Sequence, residues 1–141
     1  MVSTAQFEVI DHTGDIGIRL RAPGLVELFK RAALAMFDII CPAGRDYGSE
    51  KRTLSVAAAD TEELLVNWLS ELNFLFQTEG FLLVEIPYMT IEANELRARI
   101  VGEFMDRRRH EIHADIKAVT FHAIEVGKSD RGWYAQVIFD I

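Results

Sequence analysis

Hydrophobic residues recur every three or four positions in two segments, which is the period of an amphipathic helix. The first segment ends at Pro42 and Gly44, and its apolar stripe consists of Leu25, Leu28, Phe29, Ala32, Ala33, Met36, Phe37 and Ile40. The second begins after Asp60, where Glu63 three positions later completes a capping-box-like signal, and Gly80 is placed to end it. Two helices are therefore predicted.

Outside these helices, the pattern favours strands. Ile16, Ile18 and Leu20 alternate with glycine and arginine, which is the period of a half-buried strand. Further strands are predicted at residues 6–10, 54–56, 81–86, 89–91, 96–100, 116–126 and 133–141, with a turn at Ala93-Asn94. Two helices covering one mixed sheet in two layers is the simplest arrangement. The predicted fold class is thus α+β, in one domain that spans residues 1–141.

Composition narrows the class of protein. Half of the 141 residues are hydrophobic, and 15 Lys and Arg against 22 Asp and Glu give a net charge of −7. An acidic surface repels phosphate backbones, so strong direct nucleic-acid binding is not expected. The single cysteine, Cys41, excludes an internal disulfide and fits a reducing compartment. We see no signal peptide and no apolar run long enough for a membrane, so we expect a soluble cytoplasmic protein.

The richest chemistry lies in residues 11–18, an acidic turn that contains Asp11, His12 and Asp15. Carboxylates separated by small residues can bend around one hard cation, which prefers oxygen ligands. The alternative is an Asx-turn in which the same carboxylates satisfy backbone N–H groups. His12 could act as a general base or a ligand of a soft metal, or it could simply satisfy the turn. The residues of this turn leave these alternatives open.

The last strand adds further negative charge. Asp140 precedes Ile141, so a side-chain carboxylate would lie beside the terminal carboxylate. Together with Asp15 this makes three negative charges, which repel one another unless they share a cation or a proton. The alternative is that Asp140 is solvated at the end of a strand.

Other polar residues suggest no site of their own. Lys117, Thr120 and His122 alternate with Val119 and Phe121, which favours an ordinary solvent-facing side of a strand. Residues 102–111 are polar and include three consecutive arginines, 107–109, which we interpret as a solvated loop; the alternative is a grip on phosphate or an acidic partner. No zinc spacing, phosphate loop or nucleophile elbow occurs. The residues offer a metal site without a complete catalytic apparatus.

Several segments together resemble the archease family, in the family's order and over nearly the whole chain. They are DHTGDIGI, ELFKRAALAMFDII, DTEELLVNWLSELNFLF, the pair Gly102-Glu103, IKAVTFHAIEV and the ending VIFDI. The family commonly has Ala or Gly at position 14 and Tyr where this chain has Phe121. Residues 105–109 depart further from the family pattern.

The resemblance implies a small α+β protein that assists RtcB-type RNA ligases in tRNA splicing and RNA repair. Such a protein promotes guanylylation of the ligase, with GTP and manganese, and permits repeated turnover. The resemblance also implies a divalent cation, Ca²⁺ first and Mn²⁺ or Mg²⁺ as alternatives, at Asp15, Asp140 and Ile141, the last through a main-chain or terminal carboxyl oxygen. A second link is to a tRNA cytosine methyltransferase, in a chaperone-like role.

Three hypotheses follow. In the first, the chain is a non-catalytic activator of the ligase, and Asp11 and His12 shape the turn or contact the partner. In the second, Asp11, His12, Asp15 and Asp140 form the active site of a metal-dependent phosphoester hydrolase. In the third, the chain is a chaperone for the methyltransferase and uses an apolar surface near residues 133–134.

Overall fold

Two helices and seven strands make up the computed structural model over the residues that it describes, 7–12 and 14–141. Gln6 and Thr13, which belong to predicted segments, lie outside the described residues, as does the side chain of His12. The elements are β1 (Phe7–His12), β2 (Asp15–Ala22), α1 (Leu25–Ile40), β3 (Glu50–Ala57), α2 (Thr61–Glu79), β4 (Phe81–Glu92), β5 (Glu95–Phe104), β6 (Ala118–Ser129) and β7 (Gly132–Asp140).

The strands form two antiparallel sheets, with strand orders β1-β2-β7-β6 and β3-β5-β4. The α+β class with two main helices is confirmed, whereas the prediction of one mixed sheet is wrong. Three of the pairs, β1–β2, β4–β5 and β6–β7, are hairpins, in which the chain reverses at a short turn and pairing must be antiparallel. The alternation of residues indicates the two faces of a strand but not its partner.

Both helices begin and end where the pattern predicts. Asp60 accepts a hydrogen bond from the backbone N–H of Glu63 at 2.8 Å, which satisfies a free donor in the first turn of α2. Gly80 ends α2 in the left-handed conformation, with φ of 71°. The indole N–H of Trp68 on α2 donates to the carbonyl of Phe29 on α1 at 3.0 Å, which joins the two helices.

Strands β4 and β5 are longer than predicted. The two strands predicted at 81–86 and 89–91 are one strand, β4, whose pairing with β5 shifts around Glu85. Strands β4 and β5 are joined at Ala93-Asn94, where both residues have positive φ, as a tight hairpin turn requires. Strand β5 continues through Gly102 and Glu103, which are buried, so the predicted polar loop begins later than expected.

The helices connect the two sheets. Helix α1 packs on β2 of one sheet and β4 of the other, and α2 packs on β6 and β4. Their apolar stripes and the inner faces of the sheets form one core, in which Phe29, Trp68 and Phe139 are fully buried. In the part of the chain that the structure describes, neither helix has the length and apolar character needed to cross a membrane.

Candidate functional site

Asp15 begins β2 and Asp140 ends β7, and the antiparallel register makes them direct cross-strand partners. We call these two residues the acidic pair. Just beyond it, the N–H of Ile141 donates to the carbonyl of Gly14 at 3.2 Å, and the N–H of Lys117 donates to the carbonyl of Asp140 at 2.8 Å. Backbone hydrogen bonds on both sides therefore fix the position of the pair at the end of the sheet.

The electrostatics of the acidic pair are unfavourable as they stand. Like charges directly opposite each other on a sheet destabilise it. In addition, Oδ1 of Asp15 is buried, and no hydrogen-bond donor reaches it from the residues that the structure describes. A buried polar atom without a partner costs free energy, and a charged one costs more. The pair therefore favours a cation that compensates both carboxylates.

The donor set fits a hard divalent cation better than a soft one. Carboxylate and main-chain oxygens are the ligands that Ca²⁺ and Mg²⁺ prefer. Within residues 7–12 and 14–141, no group of three or more His, Cys, Asp or Glu side chains could hold a metal ion. A site at the acidic pair would therefore need a main-chain oxygen, and Ile141 is next to Asp140 in the chain. That this site binds a metal stays a prediction.

The remaining members of the acidic turn are placed differently. Asp11 is exposed and is the cross-strand partner of Ile16. Because neighbouring residues of a strand face opposite sides of the sheet, Asp11 lies on the face away from Asp15. His12 is the Cα partner of Asp15. The position of Asp11 argues against a hydrolase active site that uses both Asp11 and Asp15.

A second carboxylate, Glu103 on β5, was not predicted as part of any site. Its side chain is only 3% exposed. It accepts hydrogen bonds from the backbone N–H of Tyr47 at 2.8 Å, from the guanidinium of Arg109, and from Nε2 of His110 at 3.0 Å. Burial alone would raise the pKa of the Glu103 carboxyl, but the hydrogen bond from Tyr47 and the charge of Arg109 lower it below its ordinary value.

The tautomer of His110 follows from its contacts. Its Nδ1 accepts from the backbone N–H of Asp106 at 2.9 Å, so Nε2 carries the proton. That proton is shared between Glu103 and the carbonyl of Gly44, also 3.0 Å away. The imidazole therefore joins strand β5 to the loops that contain Gly44 and Asp106.

Arg45 follows Gly44 in the loop between α1 and β3, and it is fully buried. It donates to the carbonyls of Cys41 and Leu83 and pairs with Asp38. We call Arg45, Glu103, Arg109 and His110 the loop cluster. Residues 107–109 are exposed in a turn, as the prediction of a solvated loop requires. Arg109 also pairs with Glu103 on β5, a partner that could not be identified from the sequence.

Cys41 at the base of this loop is buried. Burial raises the pKa of its thiol above the ordinary value, so the thiol stays neutral near pH 7. We therefore assign Cys41 to packing.

Strand β6 also departs from its prediction. The ladder with β7 is in register up to Thr120 and resumes at Glu125, so residues 121–124 stand opposite Val137 alone. We call residues 121–124 the β6 bulge. The predicted alternation of polar and apolar faces ends there, because Phe121, His122 and Ala123 are all exposed. No residue in the bulge is a glycine, so the sequence carries no turn signal at this point.

These features define a small α+β protein in which two helices cover two antiparallel sheets and a pair of carboxylates ends one strand ladder. A sequence model of the archease protein family matches residues 7–141. The chain therefore belongs to the archease family.

Relatives and solved structures agree with this assignment. The protein archease of Methanosarcina barkeri is 36% identical over 140 residues, which cover 96% of each chain. That of Pyrococcus abyssi is 36% identical over 141 residues, covering 96% of this chain and 99% of the relative. The solution structure of protein 1598 of Methanobacterium thermoautotrophicum has a TM-score of 0.81 at 33% identity and covers 96% of this chain and 98% of that chain.

A more distant structure shares the fold. The crystal structure of an archease from Thermotoga maritima, described as a possible chaperone, has a TM-score of 0.68 at 20% identity and covers 94% of each chain.

Proposed function

We propose that this chain is a non-catalytic activator of an RtcB-type RNA ligase, which acts in tRNA splicing and RNA repair. It would promote guanylylation of the ligase and repeated turnover, through a divalent cation held at the acidic pair. Membership of the archease family supports the proposal. The observation that carries it is the buried Oδ1 of Asp15, which lies directly across the ladder from Asp140 and lacks a donor among the described residues.

The cation would be held by the carboxylates of Asp15 and Asp140 and by a main-chain oxygen of Ile141. All three are oxygen ligands, so we propose Ca²⁺ first, with Mn²⁺ and Mg²⁺ as alternatives. A bound divalent cation supplies positive charge that can neutralise phosphate oxygens. The chain's own residues contribute a fixed position for that charge, because backbone hydrogen bonds hold both ends of the pair.

The overall charge is consistent with this partner. A net charge of −7 favours association with a basic, RNA-binding enzyme and disfavours direct binding to RNA. The proposed complex is therefore between two proteins. Asp11 is exposed near the pair in sequence but lies on the other face of the sheet, so we assign it to the turn and away from the cation.

The test is guanylylation of an RtcB-type ligase from the same source, with GTP and manganese, and this protein at a substoichiometric amount. We expect faster labelling and several rounds of ligation with the unaltered protein. Asp15→Asn and Asp140→Asn should each reduce stimulation at least about tenfold, because each substitution removes one of the two side-chain charges that hold the cation. Asp11→Asn is the matched control and should leave stimulation unchanged.

Two results would contradict the proposal. Equal stimulation by the folded Asp15→Asn and Asp140→Asn proteins would show that the acidic pair is not used. No stimulation by the unaltered protein would show that the ligase is not its partner.

A chaperone-like role with a tRNA methyltransferase is the second candidate, because the Thermotoga maritima relative is described as a possible chaperone. The apolar surface first considered for it is small. Trp133 and Tyr134 are partly buried, and Lys128 and Arg21 lie over their rings at 5.9 and 6.0 Å, respectively. Co-purification with a methyltransferase, without any effect on ligation, would favour this role.

A further inference from the structure

The β6 bulge is larger than an ordinary β-bulge and is held by specific hydrogen bonds. An ordinary β-bulge adds one residue, whereas here residues 121–124 face Val137 alone. Two side chains bond backbone groups beside the gap in the ladder. The hydroxyl of Thr120 donates to the carbonyl of Ile138 at 2.9 Å, and Nε2 of Gln136 donates to the carbonyl of Ala123 at 2.9 Å.

The bulge keeps a strained backbone conformation. Ala123 has φ of 52°, in the left-handed region that costs an L-residue about 1 kcal/mol or more. The strain is held in place by the bond from Gln136, which itself accepts from Nε of Arg19 on β2 at 2.7 Å. Strained residues that the surroundings hold in this way concentrate at functional sites.

The bulge lies next to the acidic pair. Gln136, Ile138 and Asp140 share one face of β7, and Gln136 contacts the bulge at Ala123. The bulge and the acidic pair therefore both contact β7, within a few residues of each other along that strand. Thr120, the residue before the bulge, is opposite Ile138, which is about 7 Å along the strand from Asp140.

The first residue of the bulge is aromatic. Phe121 is 57% exposed, and His122 and Ala123 beside it are also exposed. Ile124 turns back and packs against the core, which anchors the bulge at its other end. Aromatic residues that bury on association dominate the energetics of many interfaces. An exposed phenylalanine on a braced, strained segment can enter a partner's pocket with little loss of conformational entropy.

We propose that Phe121 is the docking anchor of this chain, and that the β6 bulge inserts it into an apolar pocket of the partner ligase. The pocket would be bordered by basic groups or phosphates, since the acidic pair lies beside the bulge and its charge needs a positive counterpart. This inference rests on the proposed function, because it takes the RtcB-type ligase as the partner. It assigns binding to the bulge and leaves the cation to the acidic pair.

The experiment titrates this protein into the guanylylation assay and compares Phe121→Ala with Phe74→Ala. Phe74 is 58% exposed and lies on α2, so it is a control of the same residue type and nearly equal exposure. Phe121→Ala should raise the concentration for half-maximal stimulation at least about 30-fold, the size of a hot-spot truncation, with the same maximal rate. Phe74→Ala should leave that concentration unchanged, and Phe121→Tyr should restore it.

Each outcome decides the matter. Equal titration curves for Phe121→Ala and the unaltered protein would overturn the docking anchor while leaving the proposed function intact. A loss of maximal rate without a change in half-maximal concentration would also overturn it, because an anchor acts on binding. No stimulation by the unaltered protein would overturn both proposals. If Phe121→Ala instead turned a dimer into a monomer in sedimentation, the pocket would belong to a second copy of this chain.

A second variant separates the anchor from its support. Gln136→Ala removes the hydrogen bond to Ala123 but retains the Phe121 side chain. It should raise the half-maximal concentration less than Phe121→Ala does. Calcium-dependent thermal stabilisation, a readout of the acidic pair, should be the same for Phe121→Ala and the unaltered protein. Loss of that stabilisation in Phe121→Ala would show that the residue supports the cation site and is not a separate anchor.

Discussion

The acidic pair and the loop cluster each contain a buried carboxylate oxygen, and the protein compensates its charge in only one of them. Glu103 accepts from Tyr47, Arg109 and His110, so its charge is compensated by the protein itself. Oδ1 of Asp15 has no donor among the described residues, and its cross-strand partner is another carboxylate, Asp140. Two carboxylates with similar chemistry therefore differ in whether the protein supplies their positive charge.

This difference separates a structural role from a binding role. A buried charge with several donors fixes the segments that supply them, and here those segments are two loops and a strand. A carboxylate without donors weakens the fold by itself, and it is retained where an external charge completes it. We infer that the loop cluster serves stability and that the acidic pair serves binding. Substitutions at the two sites should therefore have opposite effects on stability.

The largest effect is expected at Arg45. Arg45→Met keeps an apolar stem of similar length but removes the charge, leaving the carbonyls of Cys41 and Leu83 and the carboxylate of Asp38 without this donor. We expect a loss of about 3–5 kcal/mol in the free energy of unfolding, measured with urea. Arg19→Met removes an exposed ion pair with Glu8 and an exposed hydrogen bond to Gln136, and it should cost under about 1 kcal/mol. Equal losses for the two variants would contradict a structural loop cluster.

A smaller, pH-dependent effect is expected at Glu103. Glu103→Gln keeps the shape and should cost about 2 kcal/mol at pH 7, since hydrogen bonds to a charged acceptor are lost. The folded pKa of Glu103 is lowered, so its contribution is fully present above the unfolded pKa of about 4.3 and is lost as the pH falls through the folded value. Urea unfolding from pH 7 to pH 2.5 should show the two proteins converging. A constant difference would show that the charge is not responsible.

The elements with local signals were predictable from the sequence. Both helices follow from a period of 3.6 residues and from capping residues such as Asp60 and Gly80, which act within one turn. Strand partners depend on segments far apart in the chain, so the division into two sheets was not predictable. The proximity of Asp15 to Asp140 was expected from the family resemblance, and the register of β2 and β7 shows it. Charge alone would not predict it, because like charges repel.

The loop cluster and the β6 bulge were not predictable, for different reasons. Glu103 and Arg109 lie in a polar run that is typical of solvent, and only the tertiary fold closes the loop of Arg45 over them. The bulge occurs at a point where polar and apolar residues still alternate in the sequence around Phe121. Ala123 has a positive φ although it is not a glycine, so the sequence does not indicate this conformation. It is held by a hydrogen bond from Gln136 on another strand.

The smallest effect, and the one that reverses sign, is expected at Asp140. Without metal, Asp140→Asn removes the repulsion with Asp15 across the ladder and should raise the free energy of unfolding by up to about 1 kcal/mol. Calcium should raise the melting temperature of the unaltered protein, because a ligand that binds only the folded state stabilises it, and the variant should lose that rise. Thermal unfolding with EDTA and with excess calcium measures both effects, with the exposed turn residue Asp130, changed to Asn, as the control. A fall in stability without metal would place Asp140 in the same structural class as Glu103. The opposite signs of the Asp140 and Glu103 variants are what a binding carboxylate and a structural carboxylate require.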